Sequence, residues 1–300
     1  MTGDNKERGR RFDRERQKVL REGVAIQRDT ADQLKTLLGQ AEKRIAKILK
    51  AAPSDFRHWQ LTELQRQVRA ELAKFQPDAV ATLNAGLDRS HATGQGLVDR
   101  PLMAGGVDIS GDLMRLDVRK LDATRVFMVD RVKDISEQAA AKITTDLAMA
   151  VTGVLSPEDV AKNVAGVLQD GGMKRARTIV RTELGRAFSE AAQERQTQAQ
   201  AILPGLKKQW RRSGKIHSRF EHDAIDGQIR DVDQPFDLPN GVRLMYPRDP
   251  AGPIEEVINC GCSSIPYMES WTVMRPGRQQ VTDDERARSR GKRIISDAFE

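Results

Sequence analysis

Up to Pro204-Gly205 apolar residues recur at helical spacing through most of the chain, and beyond it the pattern changes. Val19, Val24, Ile26, Leu34, Leu37, Leu38, Ile45, Ile48 and Leu49 follow a spacing of three or four residues. Phe56, Trp59, Leu61, Leu64, Val68 and Leu72 repeat it, as do Leu116, Leu121, Val126, Val129, Val132, Ile135, Ile143 and Leu147. That period puts one apolar stripe on each helix. After Gly205, short alternating stretches take over at 206–212, 225–232, 241–246 and 263–267, with turns at Asp226-Gly227 and Leu238-Pro239-Asn240-Gly241. The expected fold is mainly α with a C-terminal α+β module: long helices in the N-terminal half and a small antiparallel sheet near residues 206–267. Composition agrees. With 38% hydrophobic and 4% aromatic residues against 31% charged, the chain is lean for one thick core and suits extended helices with narrow stripes.

Punctuation residues suggest the boundaries. Pro53 ends the first helical stretch, and Ser54 or Asp55 can cap the next. Pro77 starts a further helix to about Ser90. Gly94, Gly96, Pro101, Gly105, Gly106 and Gly111 then read as a loop or hinge, though not as a phosphate-binding loop, because no Lys-Ser/Thr follows. Ser156-Pro157-Glu158-Asp159 is a helix start, with Ser as cap and Pro at the first helical position. Gly171-Gly172 ends that helix, and another runs from Lys174 to about Ala201. The expected division is a helical region over 1–93, the hinge over 94–112, a second helical region over 113–203, the α+β module over 204–268 and a charged tail over 269–300 with one short helix near 283–292. No stretch has the roughly 18 apolar residues needed to cross a bilayer. Met1-Thr-Gly-Asp-Asn-Lys-Glu-Arg8 lacks an apolar signal core, and two cysteines one residue apart make no disulfide framework, so synthesis in a reducing cytoplasm is expected.

Net charge is +7, but its distribution is uneven. Residues 171–219 carry 12 Lys/Arg against 3 Asp/Glu, and residues 220–260 carry 3 Arg against 9 Asp/Glu. Lys174, Arg175, Arg177, Arg181, Lys207, Lys208, Arg211 and Arg212 could face DNA or an acidic protein surface. Mutual pairing of the basic and acidic blocks is the favoured alternative, since no aromatic residues interleave the basic ones.

Chemistry-capable residues concentrate between Gln209 and Tyr267, where both cysteines and two of the four histidines lie. Cys260-Gly-Cys262 with His222 and His217 could supply four ligands of the kind zinc prefers. The Cys-x-Cys gap is tighter than usual, and 37 residues separate His222 from Cys260. Packed thiols beside a hydrogen-bonded His222 are therefore the first reading, a metal site the second and a nucleophilic Cys-His pair the third. His217, Glu221, His222, Asp223 and Asp226 also allow a nuclease or metal-dependent hydrolase. No residue is assigned a catalytic role.

Several of these pieces occur together in one family. The Arg181-Thr182-Glu183 helix is followed by Trp210, Arg219-x-x-His222, Asp226-Gly227, an acidic segment ending at Phe236, Tyr246-Pro247 and Glu255-Glu-Val-Ile-Asn259-Cys-Gly-Cys262. In these residues the sequence resembles the phage Mu F-like minor head proteins, also called phage head morphogenesis proteins, over residues 171–267. Gly261 stands where the family typically has a basic residue. Gly214-Lys-Ile-His217 replaces a segment that usually carries an acid and Arg, so the resemblance extends to His222, Cys260 and Cys262 but not to His217. It implies that Trp210, Gly227, Phe236 and Asn259 build the module. It also implies a minor capsid component made in the host cytoplasm and carried inside the head near the portal vertex. Its expected partners are the portal protein, major capsid or scaffold proteins and phage DNA, with no membrane. Action in head assembly and in DNA packaging or ejection would be through non-covalent contacts.

Overall fold

The computed structural model describes residues 3–51, 58–109, 114, 116–213, 219–268 and 271. The fold is mainly helical with a small antiparallel sheet near its C-terminal end, as the sequence pattern implies. The helices are α1 (Gly3–Lys50), α2 (His58–Ala104), α3 (Arg119–Val151), α4 (Pro157–Ala165), α5 (Met173–Ile179), α6 (Gly185–Ile202), α7 (Phe220–Ala224) and α8 (Ile254–Val257). The strands are β1 (Leu206–Arg211), β2 (Ile229–Asp231), β3 (Phe236–Asp237), β4 (Arg243–Leu244) and β5 (Ser263–Met268). From α4 to α6 the chain stays helical, with π-helical turns at Gly166–Gly172 and Val180–Leu184.

Two compact units account for the fold. One comprises Arg28–Gly86 and Arg119–Val180; the other comprises Met1–Gln27, Leu87–Val118 and Arg181 onward. In the first, α1 buries Leu34, Leu38, Ala41, Ile45 and Leu49, and α2 buries Leu64, Val68, Leu72, Phe75, Ala79 and Leu83. Both series repeat at the three- and four-residue steps of one helix face. Polar contacts fix the neighbours: Gln169 donates to Glu42 at 2.8 Å, and Arg44 meets Glu71 at 2.7 Å. Ser156 caps α4 in a reciprocal box with Asp159, followed by Pro157 at the first turn.

Two sequence expectations are corrected in α2. Pro77 does not begin a helix; it lies inside one. A proline there removes one backbone hydrogen bond, but buried Leu72, Phe75, Ala79 and Leu83 on both sides hold the helix to its neighbours. The glycine stretch is not a loop as far as Ala104, because α2 runs unbroken through Gly94, Gly96 and Pro101. Gly94 serves close packing instead: a Cβ there would come within 2.2 Å of the Phe188 carbonyl oxygen in α6. The chain leaves the helix only at Gly105-Gly106, where Gly106 takes a φ of +82°.

In the second unit β1 is the centre of a three-stranded antiparallel sheet with order β2-β1-β5. Lys207 pairs with Asp231 and Tyr267, and Trp210 pairs with Ser264. β3 and β4 form a separate two-stranded ribbon, with Phe236 opposite Leu244. β3 was absent from the sequence reading; two residues are too few to show alternation. Ile265 of β5 packs with Val19, Leu97, Phe188 and Ala192. Leu206 and Met268 pack with Phe12, Val98, Leu102, Ala199 and Trp271. Trp271 thus belongs to the core rather than to a charged tail. Its ring meets Phe12 edge-on at 5.1 Å and lies beneath the Arg8 guanidinium. The expected helix near 283–292 lies outside the described residues.

Candidate metal centre

Trp210, fully buried on β1, organises the module. Its core comprises Trp210, Ile225, Phe236, Leu238, Leu244, Cys260 and Cys262. Phe236 and the His222 ring both meet Trp210 edge-on at 5.2 Å. The indole Nε1–H donates to the His222 carbonyl at 3.1 Å, which satisfies the polar end of a buried aromatic and fixes α7. Gly227, with φ +88°, makes the turn after α7 and donates its N–H to the Trp210 carbonyl at 2.8 Å.

His222 is thereby placed beside the two cysteines. Its Nδ1 is 3.4 Å from Cys260 Sγ and 3.7 Å from Cys262 Sγ. All three side chains are buried, with their ligand atoms within 4.8 Å of one another. Nε2, on the other side of the ring, is 3.0 Å from Glu256 Oε2. The contact is close but not an aligned hydrogen bond, and Glu256 Oε2 also lies 3.9 Å from the Arg219 Nε. Glu256 is held by Asn240, which donates to its Oε1 at 2.8 Å.

The Cys-Gly-Cys turn is clamped from outside. Arg248, buried and at φ 70°, donates to the carbonyls of Cys260 at 2.6 Å and Cys262 at 3.0 Å, and to Ser189 Oγ on α6 at 2.8 Å. Asn259, at φ 55°, donates its backbone N–H to Thr182 Oγ1 at 2.9 Å. Thr182 lies in the π-helical turn Val180–Leu184, so the Arg-Thr-Glu stretch reaches the cysteine loop through its threonine. Glu183 pairs with Arg186 at 2.7 Å.

The hydrogen bond from Cys262 holds Cys260 well below the usual thiol value, helped by His222 and the Arg248 guanidinium and opposed by burial. The same bond together with burial holds Cys262 well above that value. Cys262 N–H also points at Cys260 Sγ, at 3.4 Å.

Residues 141–265 match the family described as "Phage Mu protein F like protein". This stretch is similar to the phage Mu F-like family. It extends from α3 to β5 and contains the Trp210 core and the His222–Cys260–Cys262 group. An uncharacterized protein of Bacillus subtilis (strain 168), YqbB, is 38% identical over 100 residues, covering 32% of this chain and 32% of its own length. A protein of Enterococcus faecalis (strain ATCC 700802 / V583) named NAD(+)--arginine ADP-ribosyltransferase EFV is 27% identical over 141 residues, covering 46% of this chain and 28% of its own length. The chain therefore spans about a third or less of these relatives. No solved structure matches.

The Mu F-like domain brings some expected site residues together and separates others. His222, Cys260 and Cys262 form one group, whereas His217 lies outside the described residues. Asp223 and Asp226 are buried and turned to Arg212; Asp226 Oδ1 accepts the Arg212 backbone N–H at 2.9 Å. They brace a turn and do not join His222 in an open acidic cluster.

The eight basic residues fall in both compact units: Lys174, Arg175 and Arg177 in one, and Arg181, Lys207, Lys208, Arg211 and Arg212 in the other. Lys208 does not offer its charge to a partner. It is fully buried and donates to the Met245 carbonyl at 2.7 Å and to Gln193 at 3.2 Å. Lys207 pairs with Asp231, Arg175 with Asp134, and Arg212 with Asp223 and Asp226. Lys174, Arg177 and Arg181 remain exposed. Arg248 and Glu256 were missed from sequence. Arg248 is one of only three arginines in an acidic stretch and is flanked by prolines at 247 and 250, the one signal that marks it.

Proposed function

We propose that this protein is a phage head morphogenesis protein: a minor capsid component that associates with the portal and acts in head assembly and in DNA packaging or ejection. The observation that carries this reading is the match to the Mu F-like family over residues 141–265, of whose quoted elements Trp210, Phe236, Cys260 and Cys262 share one core. Mechanism is non-covalent. The C-terminal module is a compact body around Trp210, and the helical remainder provides the surface for a partner. On α3, Val126, Phe127 and Val129 are exposed apolar side chains. Such residues serve contact with another protein better than contact with phosphate.

Portal contact is preferred to DNA contact because Arg175, Lys207 and Arg212 are paired with acids of the same chain and Lys208 is buried. The transferase activity in the name of the Enterococcus relative is not carried over, since the match covers 28% of that protein. Co-expression with the portal protein from the same phage tests the reading. Joint elution with the portal ring, lost in Phe127→Glu, is the expected result. If the chain elutes alone while binding DNA, with affinity falling about 10³-fold or more between roughly 50 and 200 mM salt, the DNA version replaces the portal version.

A further inference from the structure

The buried trio of His222, Cys260 and Cys262 has more order than packed thiols require. In a tetrahedral zinc site, with Zn–S about 2.3 Å and Zn–N about 2.0–2.1 Å, a ligand nitrogen and a ligand sulfur lie about 3.6 Å apart. The two distances here are 3.4 and 3.7 Å, from one nitrogen to both sulfurs. Glu256 Oε2 faces the opposite ring nitrogen at 3.0 Å. With the proton on Nε2, facing that carboxylate, the ring would turn its Nδ1 lone pair toward the sulfurs. A carboxylate behind a ligating histidine is the usual way such rings are oriented. The Cys262 N–H is aimed at Cys260 Sγ, and the Arg248 guanidinium fixes the turn by binding the carbonyls of both cysteines.

We propose that His222 Nδ1, Cys260 Sγ and Cys262 Sγ are three ligands of a structural Zn²⁺ that joins α7 to the turn entering β5. Thiolate and imidazole together suit a soft or borderline cation and not Mg²⁺ or Ca²⁺. Among the described residues no fourth side chain joins the three. The physical benefit is clear from the module's size. Its apolar core is seven buried side chains with Val242 packed against them, and its longest strands have six residues. A metal tie between residues 222 and 260 adds to folding stability where so small a core contributes little. The ion needs no solvent access, which agrees with the burial of all three ligands.

The test uses the full chain purified without chelator. Elemental analysis is expected to give about one zinc per chain, falling to about a tenth or less in Cys260→Ser and Cys262→Ser. Replacement by Co²⁺ is expected to produce a sulfur-to-cobalt charge-transfer band. Because the cysteine variants could fail to fold, the wild-type chain is also stripped of metal and its Tm measured with added Zn²⁺ or Mg²⁺. Zinc raises Tm and magnesium does not. Glu256→Gln retains the three ligands and is expected to weaken zinc binding about 10–100-fold, a change that a purely packing role for Glu256 would not produce. Wild-type protein that is folded yet lacks zinc, gives no cobalt band and has a Tm unmoved by zinc overturns the proposal. So does stoichiometric recovery of a different metal.

Discussion

Gly94 in α2 faces the carbonyl oxygen of Phe188 in α6 so closely that a Cβ would lie 2.2 Å from it. Alanine ordinarily improves a helix by about 1 kcal/mol over glycine. Here the obstacle is backbone, which cannot rotate aside. Gly94→Ala is expected to lower stability by about 1–3 kcal/mol or more, read as a fall in Tm. Gly171→Ala, with nothing within 4 Å of its added Cβ, is the control that should not fall in the same way.

Arg248 ties the cysteine turn to α6 through three hydrogen bonds. Arg248→Met keeps much of the volume and leaves buried carbonyls without their donor. The expected loss is about 1–3 kcal/mol per unsatisfied group. Arg248→Lys should recover only part of it, because an ammonium cannot fork to two carbonyls as a planar guanidinium does. The urea midpoints of the two variants measure the difference.

Trp271 closes the core formed by Phe12, Leu102 and Met268. Trp271→Ala is expected to cost about 3–5 kcal/mol. A chain ending at Met268 should lose at least as much, whereas one ending at Trp271 should retain that contribution. Thermal denaturation of the three chains decides the order.

Burial brings Lys208 from its ordinary value of 10.5 down to about 8, with Asp233 and Asp249 opposing the shift. Between about pH 8 and 10.5 the unfolded chain then holds a proton that the folded chain has lost. The Lys208 contribution therefore makes stability rise with pH in that window. Wild-type stability minus that of Lys208→Met should increase from pH 8 to 10.5. A flat difference would show that Lys208 ionises normally in the fold.

Much of this architecture was legible because the physics is local. Ser156 followed by Pro157 and Asp159 marks a helix start without reference to the rest of the chain. Alternation around Trp210 marks β1, and the short stretch 263–267 marks β5. Gly94 of α2 misled for a different reason: its role is set by Phe188, some 90 residues away, and glycine signals a turn and a close helix contact equally well. Trp271 was misassigned because charged residues follow it, while its partners Phe12 and Leu102 are far off in sequence. At the site, His222, Cys260 and Cys262 are chemically distinctive. Arg248 and Glu256 are ordinary residue types whose roles arise from burial, and spacing alone could not separate them from surface charges.

Membership of a phage head is what the similarity over residues 141–265 predicts for this chain. Quantitative mass spectrometry of procapsids purified from a phage whose genome carries this sequence tests it. The expected result is the chain present in every preparation at a low copy number relative to the major capsid protein, and retained in procapsids that have not packaged DNA. Its absence from procapsids and mature virions alike, with the protein found free in the lysate, would contradict the account.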